Sequence, residues 1–193
     1  MRILIACEFS GTVRDAFIRA GHDSISCDIL PSDTPGPHYQ GDVLNILSES
    51  WDMMIAHPPC THLAVSGAKH FAKKIADGRQ QSALDFVQKL MDAPIPRICI
   101  ENPVSIISTR IRKPDQIIQP WMFGHEATKT TCLWLKNLPA LMPTKIVSKG
   151  IRHITKSGKS LPDWYNLSPS VDRWKIRSTT FPGIAEAMAT QWG

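Results

Sequence analysis

Two short runs of the sequence set reactive side chains on stiff or strand-like backbone. The first, His57-Pro58-Pro59-Cys60-Thr61-His62, follows the apolar run Trp51-Asp-Met-Met-Ile-Ala56 and delivers one thiol behind two prolines. The second, Arg97-Ile-Cys-Ile-Glu101, ends on a carboxylate and is followed by Asn102-Pro103. A thiolate is a nucleophile, and a carboxyl group held beside it can hydrogen-bond or protonate the group under attack. Cys60 is therefore the candidate nucleophile and Glu101 its acid partner. Since only the thiolate attacks, the site is expected to favour the anion through a helix N-terminus or nearby cations. Two other roles stand open. Cys60 could be a small core residue, as expected of Cys7, Cys27, Cys99 and Cys132. His57, Cys60 and His62 could also ligate a metal, although three ligands on a loop stiffened by Pro58-Pro59 match no familiar zinc spacing.

These groups need elements to carry them. Residues 2–6 and 24–29 read as short buried strands, and Trp51–Ala56 and Arg97–Glu101 read the same way. Between the first two, Val13, Ala16, Phe17 and Ala20 recur at helical spacing, with Gly21 as a stop. Pro31 to Gln40 reads as a proline-rich loop, and residues 41–47 as a short unit. Beyond Ser66-Gly67 comes a basic stretch with Lys69, Lys73, Lys74 and Arg79. Residues 80–92 then place Leu84, Val87, Leu90 and Met91 on one helical face. Strands alternating with helices at this pace predict an α/β fold with a mostly parallel sheet.

Glu8, Asp28, Asp42, Cys60 and Glu101 all fall at or just beyond the ends of these strands. In open α/β sheets that edge binds ligands. A strand, a turn containing Gly11 and a helix make a nucleotide-type binding start, because glycine admits a close ligand. No Gly-x-Gly-x-x-Gly or Walker pattern is present, so a phosphate tail is not indicated. Acids at strand ends accept hydrogen bonds from hydroxyls and amino groups, which suits a nucleoside-like cofactor. The competing reading makes Asp28 and Asp42 helix caps or turn residues.

The chain has 193 residues, 42% hydrophobic and 20% charged, which is ordinary for one folded domain. No segment is long and apolar enough for a membrane span, and the N-terminus does not read as a signal peptide. Five scattered cysteines fit reduced thiols, so a cytoplasmic protein is expected. The net charge of +5 mildly favours a polyanionic partner.

Phe9-Ser10-Gly11, Asp42, Pro59-Cys60 and Glu101-Asn102-Pro103, in that order, resemble the motif series of the DNA cytosine-5 methyltransferases. The run Ser178 to Met188 resembles the last motif of that family. The whole chain is similar to small phage- and prophage-encoded proteins of this type. The resemblance implies a Rossmann-like S-adenosylmethionine-dependent methyltransferase fold with helices on both faces of the sheet, working in a bacterial or phage-infected cell. It implies S-adenosylmethionine held by Glu8, Phe9, Ser10, Gly11, Asp28, Asp42, Pro58 and Thr179. Cys60 would add to carbon 6 of cytosine while Glu101 engages ring nitrogen 3. DNA, duplex or single-stranded, would be contacted by Asn102, Lys129, Ser66 and Lys69, with no metal and no membrane. On the same resemblance, Lys129 would stand in for an arginine of the family pattern. Amino-methyltransferases share the two prolines in an Asx/Ser-Pro-Pro-aromatic loop, but their aromatic stacks on the base, which Cys60 cannot do.

The resemblance departs at the acceptor side. Only residues 137–177 are available as a target-reading insertion within a single catalytic domain spanning 1–193. Between positions 145 and 177 lie eight Lys/Arg (145, 149, 152, 156, 159, 173, 175, 177) against Asp163 and Asp172, with Trp164, Tyr165 and Trp174 interleaved. Cations for phosphates and aromatics for bases suit a polynucleotide. A solvated basic face with its aromatics turned inward is the competing reading. A binding module that has lost the reaction, or an enzyme acting on free nucleotides or RNA, are the rival functions.

Overall fold

Side chains of a strand alternate between faces, and the central strands here are apolar on both. In the computed structural model, which describes residues 1–193, strand β1 (Arg2–Ala6) sends Ile3 and Ile5 into one core and Leu4 and Ala6 into the other. The chain continues through α1 (Thr12–Arg19), β2 (Asp23–Asp28), β3 (His38–Gln40) and β4 (Met53–Ala56). Helices α2 (Phe71–Ala76) and α3 (Arg79–Met91) lead to β5 (Arg97–Pro103), the short helix α4 (Ile107–Arg110), β6 (Gln116–Ile118) and β7 (Thr131–Lys136). A hairpin of β8 (Arg152–Ile154) and β9 (Ser160–Pro162) stands apart from the main sheet, and α5 (Arg173–Ser178) and α6 (Pro182–Trp192) close the chain.

The main sheet has seven strands in the order β3-β2-β1-β4-β5-β7-β6. The first five run parallel, and β7 is antiparallel to both of its neighbours. Leu84, Val87 and Leu90 of α3 pack on Leu4, Met54, Ala56, Ile98 and Ile100 on one face. Val13, Ala16 and Phe17 of α1 and Ile184, Ala185 and Met188 of α6 cover Ile3, Ile5, Met53 and Ile55 on the other. The expected Rossmann-like α/β fold, mostly parallel with helices on both faces, is the fold observed.

Three local expectations change. His38–Gln40, read as loop, is a strand paired with Ser26–Asp28; three residues between prolines and a glycine carry too little period for a strand to be legible. The basic stretch holds α2, whose Lys74 turns inward. β5 runs on to Pro103, because the antiparallel β7 pairs with it through Glu101↔Leu133 and Pro103↔Thr131. No helix is long and apolar enough to cross a membrane.

Candidate active site

The parallel run of β1 to β5 puts the ends of those strands on one edge, and the chemistry-bearing residues gather there. Glu8 follows β1, Asp28 ends β2, Asp42 follows β3, and the His57–His62 loop follows β4. Because β7 enters the sheet from the same edge, Lys129 arrives there just before Thr131.

The loop bearing Cys60 is fixed by side chains from three elements. Asn102 Nδ2 of β5, fully buried, donates to the Pro58 carbonyl at 2.8 Å. Lys74 Nζ of α2 donates to the Thr61 carbonyl, and Gln80 Nε2 of α3 donates to the His62 carbonyl at 3.3 Å. Leu63 and Ala64 donate their amides to the Cys60 carbonyl. Backbone polar groups in such a turn need partners, and here side chains of β5, α2 and α3 supply three of them. Asn102, expected at the acceptor, has its amide nitrogen committed to this loop. Ser66 and Lys69 are exposed on the turn that follows.

His57 Nδ1 lies 3.0 Å from Glu101 Oε2, both side chains largely buried. Burial pushes the Glu101 carboxyl up, but the His57 hydrogen bond and charge, with the charge of Lys129, outweigh it and hold Glu101 below its ordinary value. Burial pushes the Cys60 thiol up and the charge of Glu101 adds to this; its own backbone amide, Lys129 and Arg177 pull the other way without prevailing. Lys129 is shifted down by burial, with Glu101 and Cys60 opposing and Arg177 assisting. Glu101, Cys60 and Lys129 therefore share one electrostatic field. The cations expected near the thiol are there, but the resting site favours the thiol over the anion, since burial and an ionised Glu101 are the larger effects. Lys129 Nζ also reaches the Thr179 carbonyl at 3.3 Å and sits over the rings of Trp164 and Phe181. His57, Cys60 and His62 do not gather as a metal-ligating group.

The residues expected to hold a cofactor are more committed than their sequence suggests. Glu8 accepts from the amides of Val13 and Arg14 at 2.7 and 3.1 Å, capping the start of α1, and from Ser10 Oγ. Asp28 accepts from the Leu30 amide and Asp42 from the Leu44 amide, so each closes a turn and keeps a second oxygen for other partners. The space above Gly11 (φ 74°) belongs to the chain itself: a Cβ there would meet Thr34 Oγ1 and the Arg14 guanidinium. Arg14, fully buried, holds the loop after β2 through Ser32, Thr34 and Pro35. Gly11 thus admits a loop where a ligand was expected. Cys7 takes a left-handed φ of 58° at the end of β1, a position no sequence signal marked.

One cavity lies beside these residues, lined by Cys7, Glu8, Phe9, Ser10, His57 and the Ser178–Thr180 segment, with a volume of about 50 Å³. Small-molecule sites run to several hundred cubic ångströms. A cofactor of nucleoside class does not fit here with the 173–180 segment in place. That segment is seated by Trp174 on Phe9 (centroids 5.5 Å apart) and by Lys175 on Asp33. A larger open cavity of about 640 Å³, lined by Ile98, Arg112, Asp115 and Trp134 among others, involves none of the chemistry-bearing residues.

The basic segment divides. Trp164 packs inward against Phe181, while Tyr165 and Trp174 are 40% and 50% exposed. His125 Nε2 accepts from the Gly183 amide at 2.8 Å and so fixes the start of α6, a contact invisible in the sequence because the two residues lie 58 positions apart.

No family model matches the sequence, and no curated protein matches it. A crystal structure of a candidate DNA modification methyltransferase encoded within an Escherichia coli prophage aligns with 77% of this chain and 52% of its own, at 17% identity and a TM-score of 0.49. The chain thus spans about half the length of that solved structure.

Proposed function

We propose that the chain is an S-adenosylmethionine-dependent DNA methyltransferase acting on carbon 5 of cytosine, with Cys60 as nucleophile and Glu101 as its partner. One observation carries the reading: the loop after β4, the end of β5 and the start of β7 bring Cys60, Glu101 and Lys129 to one edge of an open α/β sheet, where Glu101 and Lys129 both act on the Cys60 thiol. S-adenosylmethionine would supply an electrophilic methyl group. The chain's residues do the rest. Cys60 gives its proton to solvent and its sulfur bonds to carbon 6, while the C5–C6 π pair moves onto carbon 5 and the ring. Glu101, held as a carboxylate, accepts a hydrogen bond from the exocyclic amino group next to ring nitrogen 3. Lys129 places positive charge where the ring gains electrons. A base in duplex DNA must leave the stack to reach this site, and Lys69, Ser66 and the 145–177 segment are the candidates for holding the strand.

The test is covalent trapping. With S-adenosylmethionine and a duplex oligonucleotide carrying 5-fluorocytosine, the wild-type chain should form a denaturant-stable adduct, because fluorine cannot leave as a proton. Cys60→Ala should form none and should not methylate ordinary cytosine. Normal methylation by Cys60→Ala would overturn the reading. Running duplex, single strand and dCMP side by side assigns the acceptor.

A second reading, a nucleic-acid-binding module of the same fold without the reaction, draws on the 50 Å³ cavity and the raised Cys60 thiol. It predicts DNA retention with no S-adenosylhomocysteine binding by calorimetry.

A further inference from the structure

The β8–β9 hairpin forms a sheet of its own, and both strands rest on the turn Asp163–Asn166. It is rooted beside the active edge at both ends. At one end Thr128 Oγ1 donates to the Lys149 carbonyl at 2.7 Å, and Gly150 (φ 77°) passes so close to Glu126 that a Cβ would meet its carbonyl oxygen. At the other end Trp164 places its ring 5.3 Å from Lys129 Nζ. The turn between the strands is bonded to itself: the Thr155 amide donates to the Lys159 carbonyl, the Gly158 amide to the Thr155 carbonyl, and the Lys159 amide to Thr155 Oγ1. Arg152 braces the ribbon through Ser160. The arm is therefore shaped before it meets a partner. Side chains of a strand alternate between faces. His153 turns toward Asp163 and is half-buried, whereas Ile154, on the opposite face, is 68% exposed. Residues 145–162 hold Lys145, Lys149, Arg152, Lys156 and Lys159 and no acid. A lone exposed isoleucine is ordinary; here it lies on a braced, acid-free arm beside the active edge, with no carboxylate on that arm to repel a polyanion.

We propose that this hairpin is a reading arm for duplex DNA and lies in the major groove with Ile154 facing the base edges; this rests on the reading of DNA as the acceptor. Dimensions decide the groove. A two-stranded ribbon fits the major groove, about 12 Å wide, and not an undeformed minor groove of about 6 Å. The four steps from Arg152 to Lys156 span roughly 13 Å, more than the groove depth of about 8.5 Å. The arm therefore reaches the base edges while its root stays at the site. Ile154 makes apolar contact there, where thymine presents its methyl group. Lys156 and Lys159, at the turn, extend to phosphates on the groove walls and set the position of the ribbon. A single strand has no groove, and the major groove of an RNA duplex is too narrow to read. Among the acceptors left open above, the arm selects duplex DNA.

The experiment measures binding of the full chain, wild type and Ile154→Ser, to a labelled DNA duplex containing A·T tracts, to each of its strands alone and to an RNA duplex of the same sequence. Ile154 is exposed, so the variant should unfold at the wild-type temperature. Wild type should bind the DNA duplex most tightly. Ile154→Ser should weaken that complex by about tenfold, the order expected when one aliphatic side chain loses its burial. Its salt dependence should not change, because no phosphate contact is lost, and its single-strand binding should match wild type. Netropsin, which fills the minor groove of A·T tracts, should leave the wild-type complex in place. Equal duplex affinity of the two proteins would overturn the proposal, as would displacement by netropsin or an equal loss on single strands. Binding to phosphatidylglycerol vesicles that Ile154→Ser loses, with duplex affinity unchanged, would make the arm a membrane contact instead. A wild-type chain that binds none of the nucleic acids would bring down the DNA reading itself, and this inference with it.

Discussion

Lys175 Nζ sits 2.7 Å from Asp33 Oδ1, tying α5 to the loop that follows β2. Both side chains are more than a third exposed, so the pair contributes only ~0–1 kcal/mol. Trp174 on Phe9 adds ~0.5–1.5 kcal/mol beyond its area, and Lys129 holds the Thr179 carbonyl from below. The segment that lines the cavity beside β1 is thus seated by a few weak contacts. Trp174→Ala should release it, raising S-adenosylhomocysteine affinity by up to about tenfold, which is ~1.4 kcal/mol. Calorimetry and faster proteolysis between residues 166 and 178 are the readouts. Unchanged affinity together with faster cleavage would show that the segment opens without making room for the cofactor.

The field around Cys60 makes opposite predictions for its neighbours. Lys129 pulls the thiol down and Glu101 pushes it up. Lys129→Met should therefore slow alkylation of Cys60, and Glu101→Gln should speed it, each read by peptide mapping at fixed pH. In the wild-type chain the rate should climb roughly tenfold per pH unit from neutrality upward, since thiolate is the reacting form and the thiol lies above 9.0. The sign for stability is separate. Glu101 titrates below its reference value of 4.5 in the folded chain, so its contribution is complete above that value and is lost as pH falls through the folded pKa. An acid-unfolding midpoint that does not move in Glu101→Gln would contradict this.

How much of this could be read from residues alone depends on the distance over which each signal acts. Parallel strands ending in acids, the Cys60 loop and the Glu101 strand are all local patterns, and the edge they define follows from the α/β rule. What failed to show were roles set by partners far along the chain. Gly11 looked open to a ligand, yet Thr34 and Arg14 fill its space. Asn102 looked like a substrate contact, yet it holds Pro58, 44 positions away. His57 was visible beside two prolines, but the Glu101 carboxylate it meets is brought alongside by β5, and no spacing rule pairs them. Lys129 reaches the edge only because β7 runs antiparallel, a fact of topology absent from local pattern.

Lys74 illustrates the same point with a measurable consequence. It read only as part of a basic stretch, but it is just 9% exposed and ends on the Thr61 carbonyl. A charged hydrogen bond in such a setting contributes ~1.5–3 kcal/mol. Lys74→Met keeps most of the stem packing and removes the donor, so unfolding in urea should show a loss of that order. Catalysis should fall as well, with Cys60→Ala giving the contrasting result of lost catalysis at nearly unchanged stability. A Lys74→Met chain as stable as wild type would mean that the carbonyl finds water instead.

The proposed DNA surface is tested by salt. In the β8–β9 hairpin, Arg152 is spent on Ser160 through 2.9 and 2.8 Å bonds, whereas Lys156 and Lys159 are exposed at the turn. Cations that meet phosphates release counterions, so each lysine engaged on duplex DNA should contribute about 0.9 to the slope of log affinity against log salt. The double change Lys156→Gln with Lys159→Gln should flatten that slope by nearly 2 by the same rule if both lysines touch phosphate. Tyr165→Ala should leave the slope alone and weaken single strands by ~1–3 kcal/mol through lost stacking. Trp164→Ala should behave differently again, because its ring faces Lys129 and Phe181 inside the site: it should alter Cys60 alkylation before it alters DNA affinity. A slope untouched by the double lysine change would move the nucleic-acid surface away from the hairpin and onto the edge around Lys69.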